Sequence, residues 1–119
     1  RQCQNARAVA TMLARHPAVR AVRYPGLAQD PAHAVAMAQM RRFGGLVAVE
    51  LADAAAVDAL LDASELLIAA TSFGGLHTSV DRRARWGDAV GDGFARISLG
   101  IEDTDDLVAD LERALMTSR

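Results

Sequence analysis

The sequence contains no lysine, since all 13 of its basic residues are arginine. Chemistry that needs a lysine amine to form a Schiff base is therefore excluded from this chain. Cysteine is almost as scarce, because Cys3 is the only one; this excludes a disulfide framework and a cysteine-based zinc site and fits a reducing cytoplasm. Aromatic residues make up 4% of the chain, so alanine, valine and leucine must form the core.

An excess of one charge and a long apolar run are also missing. The formal net charge is −2, with acidic and basic residues mixed along the chain, so there is no electrostatic case for a nucleic-acid partner. No stretch approaches the roughly 20 apolar residues that cross a bilayer. We therefore expect no nucleic-acid partner and no membrane partner, and the single cysteine leads us to expect no metal site.

The length of 119 residues accommodates one domain with a real core. The first residue is Arg1 rather than methionine. We therefore expect residues 1–119 to be one domain of a longer protein.

Arg96 lies in the middle of a predicted strand, residues 94–99. Side chains alternate between the two faces of a strand, so the odd-numbered residues 95–99, all apolar, are predicted to face the core. Arg96 then lies on the opposite face, where a charge is costly unless an anion meets it. Arg96 is the residue most expected to bind a ligand, although pairing with a nearby Asp or Glu would also explain it.

The rest of the chain alternates between helix and strand patterns. A helix is predicted over residues 5–15. Three more helices are predicted, each begun by an aspartate cap: one over residues 30–42, one after Asp53 and one after Asp103. Further strands are predicted over residues 19–24, 46–51 and 66–70, while residues 72–79 form an irregular loop and residues 81–88 are charged and exposed. This pattern predicts an α/β two-layer sandwich, with about four strands in a mixed or antiparallel sheet and helices on one face.

Four motifs resemble one known family: YPGL at 24–27, FGGLVAVEL at 43–51, SFGG at 72–75 and DGFARISLGIEDTDDLVADLERAL at 92–115. They are similar to the C-terminal domain of the cystathionine γ-synthase, γ-lyase and β-lyase family, the pyridoxal-phosphate enzymes of Cys and Met metabolism. The resemblance implies a fold-type I enzyme whose large domain carries the cofactor on a lysine. The small C-terminal domain would close over the substrate, and the whole enzyme would be a homotetramer.

The resemblance assigns roles to three residues. Arg96 matches the arginine that binds the α-carboxylate of the amino-acid substrate, and Ser72 matches the serine whose main chain approaches the same group. His77 occupies the position of a glutamate that contacts the distal part of the substrate in many members, so the leaving-group preference stays open. A surface histidine in a loop would be the ordinary alternative for His77.

These observations predict the C-terminal domain of a pyridoxal-phosphate enzyme that cleaves a C–S bond of cystathionine or a related thioether. Cystathionine γ-synthase, which replaces the γ-substituent of an activated homoserine, is the alternative within the family. An alternative of another class is a free-standing α/β module that binds an amino acid or a protein. Because it has no lysine, the chain alone is expected to be inactive.

Overall fold

The structure is a computed structural model, and it describes residues 1–69, 75–82 and 92–117, apart from the side chains of residues 82 and 117. The described elements follow one another along the chain as α1 (Gln2–Arg15), β1 (Ala21–Arg23), α2 (His33–Gln39), β2 (Leu46–Glu50), α3 (Ala54–Ala63), β3 (Ile68–Ala69), β4 (Ser79–Arg82), β5 (Phe94–Ser98) and α4 (Thr104–Thr117).

The described strands form one mixed sheet in the order β1-β2-β5-β4-β3. Neighbouring strands are antiparallel except β3 and β4, which are parallel. Helices α1, α4 and α3 lie side by side, and α1 and α3 also contact the strands. The predicted two-layer α/β sandwich is confirmed, with five strands where the sequence predicted about four.

The core lies between these helices and one face of the sheet. In β5 and just after it, Ala95, Ile97 and Leu99 are at most 1% exposed, as the alternation predicted. The apolar stripes of α1 and α4 are also buried, and each fully buried leucine contributes about 2 kcal/mol to stability. Their members are Ala6, Val9, Ala10, Leu13, Leu107, Leu111 and Leu115.

Two predicted caps are present at helix N-termini. The Asp53 carboxylate accepts a hydrogen bond from the Ala56 N–H at 2.9 Å, at the start of α3. The Asp103 carboxylate accepts one from the Asp106 N–H at 3.0 Å, at the start of α4. Each cap satisfies a backbone donor that the helix itself leaves unpaired.

Strand β4 was missed, and with it the burial of Asp81. Residues 81–88 were predicted to be charged and exposed, but Asp81 is 5% exposed and lies in a central strand beside β5. Its charge concealed the strand, since only Val80 in this stretch shows the apolar character typical of a core position. Residues 83–88 lie outside the described residues.

Helix α2 is shorter than the predicted span of 30–42. It covers His33–Gln39, with Ala32 as its N-cap, and Ala36 is its one buried residue. A short helix depends on burial of an apolar face for its stability. Since Ala36 is the one buried residue of α2, the helix extends only about one turn on either side of it. Met37 and Met40, which fall within the predicted span, are 60% and 43% exposed.

Asp30 organises the turn before α2 instead of capping the helix. One carboxylate oxygen accepts from the Ala32 N–H at 2.8 Å, and the other accepts from the Tyr24 N–H at 2.9 Å and from the Arg23 guanidinium at 3.1 Å. Burial raises the pKa of Asp30, but the hydrogen bonds from Ala32, Arg23 and Tyr24 outweigh it, so the pKa lies below its usual value.

Asp110 has the same function at the turn after α3. Its carboxylate accepts hydrogen bonds from the Ser64 hydroxyl, from the Glu65 and Leu66 N–H groups and from Arg113. Burial again raises the pKa of Asp110, but these hydrogen bonds outweigh that effect, so the pKa lies below its usual value. A carboxylate thus closes each of two turns, and Asp110 reaches its turn from a distant part of the chain.

We expect Asp30→Asn and Asp110→Asn to destabilise the protein by about 2 kcal/mol each near neutral pH, since each removes hydrogen bonds to a charged group. A carboxyl whose pKa is lowered by folding stabilises fully above the unfolded value of about 4 and loses that contribution as the pH falls through the lowered pKa. The Tm difference between wild type and variant should therefore shrink below about pH 4. Exposed Asp58→Asn is the control, and a pH-independent difference for Asp30→Asn would contradict the prediction.

Candidate substrate-binding site

The site is centred on Arg96, in the middle of β5 on the sheet face opposite α1, α3 and α4. We call this the open face. One row of residues crosses it from strand to strand in the register Arg23, Ala48, Arg96 and Asp81. The Arg96 side chain is 26% exposed, so its guanidinium is partly withdrawn from water yet still accessible, as a ligand-binding cation requires.

Asp81 is the acidic partner of Arg96. The Arg96 Nη2 lies 3.9 Å from the Asp81 Oδ2, and the Asp81 side chain is 5% exposed. This separation is too long for a hydrogen bond, so Asp81 balances the charge without forming the two-pronged pair that arginine makes with a carboxylate at closer range. The ion-pair interpretation of Arg96 is thus correct, and it is compatible with a ligand.

His77 lies in the segment that leads into β4, and its side chain is exposed. The first residue of β4, Ser79, is opposite Ser98 in the register. Just beyond this pair, a Cβ added at Gly100 would lie 2.6 Å from the His77 carbonyl carbon. The His77 backbone therefore lies against Gly100, four residues along from Arg96, or about 13 Å. The His77 backbone and Arg96 are thus separated along the strand direction.

Ser72, the third predicted site residue, lies outside the described residues, as does Phe73. The structure therefore places Arg96 and His77 of the predicted set.

Three residues near this site were not predicted. Thr78 is fully buried, and its N–H and hydroxyl each donate to the Glu102 carboxylate at 2.7 Å. Asn5 is also fully buried, and its amide donates to the carbonyls of Gly100 and Glu102 at 2.9 and 2.8 Å. Asn5 had a detectable signal, since it lies four residues before Val9 and so continues the apolar stripe of α1. Glu102 had none, because its partner is 24 residues away.

A family model described as "Cys/Met metabolism PLP-dependent enzyme" matches residues 1–116. The chain belongs to this family. The resemblance noted in the sequence is thereby confirmed.

Members with three different named activities are similar to this chain. A candidate cystathionine gamma-lyase of Streptomyces coelicolor is 52% identical over 116 residues, which are 97% of this chain and 30% of the relative. Cystathionine gamma-synthase of Mycobacterium bovis is 41% identical over 97% of this chain and 32% of its own length. Cystathionine beta-lyase of Coxiella burnetii is 40% identical over 97% of this chain and 33% of its own length. The chain thus spans about a third of the length of these curated relatives.

Two crystal structures share the fold. Apo CalE6, a methionine gamma lyase from Micromonospora echinospora, superposes with a TM-score of 0.87 at 40% identity, covering 96% of this chain and 31% of that one. The metB structure from Corynebacterium glutamicum gives a TM-score of 0.91 at 36% identity, covering 99% and 33%. The predicted fold-type I domain is confirmed by these matches.

Pyridoxal phosphate is the cofactor of the family, but no residue of this chain can hold it covalently, because the sequence has no lysine. The open face presents the Arg96 guanidinium beside the Asp81 carboxylate. Within the described ranges, no group of three His, Cys, Asp or Glu residues is placed to hold a metal ion. None of the helices described is long and apolar enough to cross a membrane.

Proposed function

We propose that this chain is the substrate-closing domain of a pyridoxal-phosphate enzyme that cleaves a C–S bond of cystathionine or a related thioether. The observation that carries the proposal is the position of Arg96, a partly exposed guanidinium at the centre of the open face with Asp81 beside it. A family that acts on amino acids needs a group that binds the α-carboxylate, and arginine offers two parallel N–H donors for it.

In this mechanism, Arg96 binds the substrate carboxylate and so fixes the orientation of the amino acid. Asp81 lies beside the guanidinium on the neighbouring strand, and its charge lowers the cost of keeping Arg96 partly buried before substrate arrives. Pyridoxal phosphate, when bound, acts as the electron sink for the bond cleavage. The lysine that carries it and moves protons would belong to a part of the protein outside this sequence.

His77 would lie near the distal part of the substrate. The His77 backbone lies against Gly100, about 13 Å of extended chain beyond Arg96, a spacing that suits groups that contact opposite ends of an extended thioether. A neutral imidazole both donates and accepts a hydrogen bond. The glutamate that many family members carry at the position of His77 only accepts when it is ionised. We therefore expect this enzyme to differ from them in its preference for the distal group.

Cystathionine γ-synthase activity remains the second candidate, supported by the 41% identity to the Mycobacterium bovis synthase. The free-standing module is disfavoured, because each relative described above matches through about a third of a longer enzyme.

Assembly as a homotetramer and a cytoplasmic location are further parts of the proposal. Leu46 and Ile68 lie in the row of the open face next to that of Arg96, and they are 38% and 48% exposed. Exposed apolar side chains around a binding site are typical of a surface that another domain or subunit covers.

Product analysis of the full-length enzyme tests this function. With cystathionine and water as reactants, we expect cysteine, 2-oxobutanoate and ammonia, the products of cleavage at the γ-carbon. We expect them from a protein whose mass by light scattering is four times that of one chain. The chain of residues 1–119 alone should give no product, because it has no lysine. Homocysteine and pyruvate would instead indicate β-cleavage, and turnover only with an activated homoserine and cysteine would establish the synthase.

A further inference from the structure

The segment that carries His77 is held by a carboxylate from the other side of the site. The two oxygens of Glu102 accept from the N–H and the hydroxyl of Thr78, both at 2.7 Å. The same hydroxyl accepts from the Gly100 N–H at 2.9 Å. The Thr78 N–H and hydroxyl thus take part in one set of contacts with Glu102 and Gly100, which we call the Glu102 clamp.

The residues before Thr78 are fixed at the same time. The Leu76 carbonyl accepts from the Ile101 N–H at 2.8 Å, and the Gly75 carbonyl accepts from the Gln2 side chain at 2.8 Å. The backbone is therefore anchored on both sides of His77, while the His77 side chain stays exposed. An anchored backbone with an exposed side chain is the arrangement expected for a residue that must be presented in one position.

The clamp is itself anchored to the helical layer. Asn5, fully buried in α1, donates to the carbonyls of Gly100 and Glu102 and accepts from the Thr104 hydroxyl. Glu102 is therefore held on its backbone side by a core residue and offers only its carboxylate to Thr78. The contacts run from the core through Glu102 and Thr78 to the position of His77.

We propose that Glu102 is a positioning residue for substrate selectivity, which acts through Thr78 to set where His77 meets the distal part of the substrate. The inference rests on the proposed function, in which His77 contacts that part. A carboxylate suits this task because hydrogen bonds to a charged acceptor are about twice as strong as those between neutral groups. A loop held in this way loses little order on binding.

The test uses the full-length holoenzyme and two substrates, cystathionine and methionine. Both have a γ-thioether, but methionine lacks the distal amino and carboxyl groups. The readout is the selectivity ratio, which is kcat/KM for cystathionine divided by kcat/KM for methionine. Glu102→Gln and Thr78→Val should lower this ratio by about tenfold, the factor that corresponds to one lost hydrogen bond to a charged group. Thr78→Ser, which keeps the hydroxyl, should retain the wild-type ratio. Glu112→Gln, a substitution of an exposed glutamate, is the control and should also retain this ratio.

Hydrogen exchange supplies a readout that does not depend on turnover. In Glu102→Gln, the amides of residues 75–79 should exchange about tenfold faster, while those of β2 keep the wild-type rate. His77→Ala should lower the selectivity ratio by itself, and adding Glu102→Gln to it should lower the ratio no further.

Two results would overturn the inference in distinguishable ways. If His77→Ala lowers the ratio but Glu102→Gln and Thr78→Val reduce kcat/KM equally for both substrates, together with Tm, then the clamp is only structural. If His77→Ala itself keeps the wild-type ratio, the role proposed for His77 fails, and this inference fails with it.

Discussion

Replacing Arg96 with alanine in the full-length enzyme is expected to lower kcat/KM for cystathionine by two to three orders of magnitude. The substrate carboxylate would lose its two-pronged partner, and Asp81, 5% exposed and 3.9 Å away, would repel it. Breaking a partly buried charge pair in this way costs about 3–5 kcal/mol. Steady-state kinetics of the holoenzyme measure the loss. Arg96→Lys should recover only part of it, because an ammonium group cannot form the parallel pair of hydrogen bonds.

Arg23→Ala is the matched control for charge. Arg23 lies in the same row of the open face, but its guanidinium is bound to Asp30 at 3.1 Å and its side chain is 60% exposed. This variant removes the same charge from the same face, yet it should leave the kinetic constants near those of the wild type. An effect of Arg23→Ala as large as that of Arg96→Ala would mean that the general field of the face is responsible.

A second measurement separates carboxylate binding from a structural role of Arg96. An unreactive amino acid should inhibit the wild-type enzyme far better than its carboxamide, and Arg96→Ala should lose this difference. If Arg96→Ala keeps the preference for the acid and only lowers Tm, then the arginine serves only to balance Asp81. The proposed site would then be wrong.

The elements that the sequence predicted well are those with a local, periodic signal. The stripe of α1, the alternation of β5 and the caps at Asp53 and Asp103 depend on residues within one or two turns of each other, so spacing alone identifies them. The position of Arg96 opposite the core was predicted in the same way, from strand parity, while the ligand role that the family resemblance implies for it stays a prediction.

What was missed depends on partners that are distant in the sequence. Asp81 and Asp110 are buried because residues on other strands and turns meet their charges; Ser64, for example, lies 46 residues before Asp110. Read alone, a carboxylate indicates an exposed position, and this hid β4. The Glu102 clamp was missed for the same reason, because nothing near Glu102 in the sequence indicates that Thr78 will meet it.

The second large effect is expected from Gly100→Ala. A Cβ at position 100 would lie 2.1 Å from the Leu76 carbonyl oxygen and 2.6 Å from the His77 carbonyl carbon. Both are backbone atoms, and the segment cannot retreat without breaking the hydrogen bond from Ile101 to Leu76. We expect destabilisation of about 3 kcal/mol, measured by denaturant unfolding, and a lowered cystathionine-to-methionine selectivity in the protein that still folds.

Two glycine variants give this prediction its controls. Gly93→Ala would bring a Cβ to 2.1 Å from the Leu51 carbonyl oxygen, at the opposite end of β5, so it should destabilise to a similar extent while leaving the selectivity unchanged. Gly75→Ala lies in the same segment as His77, but its Cβ would meet no atom of the described chain within 4 Å, and it should be nearly neutral. If Gly100→Ala keeps the stability and selectivity of the wild type, the backbone near His77 can shift at little cost. The close contact between this backbone and Gly100 would then not hold the histidine in place.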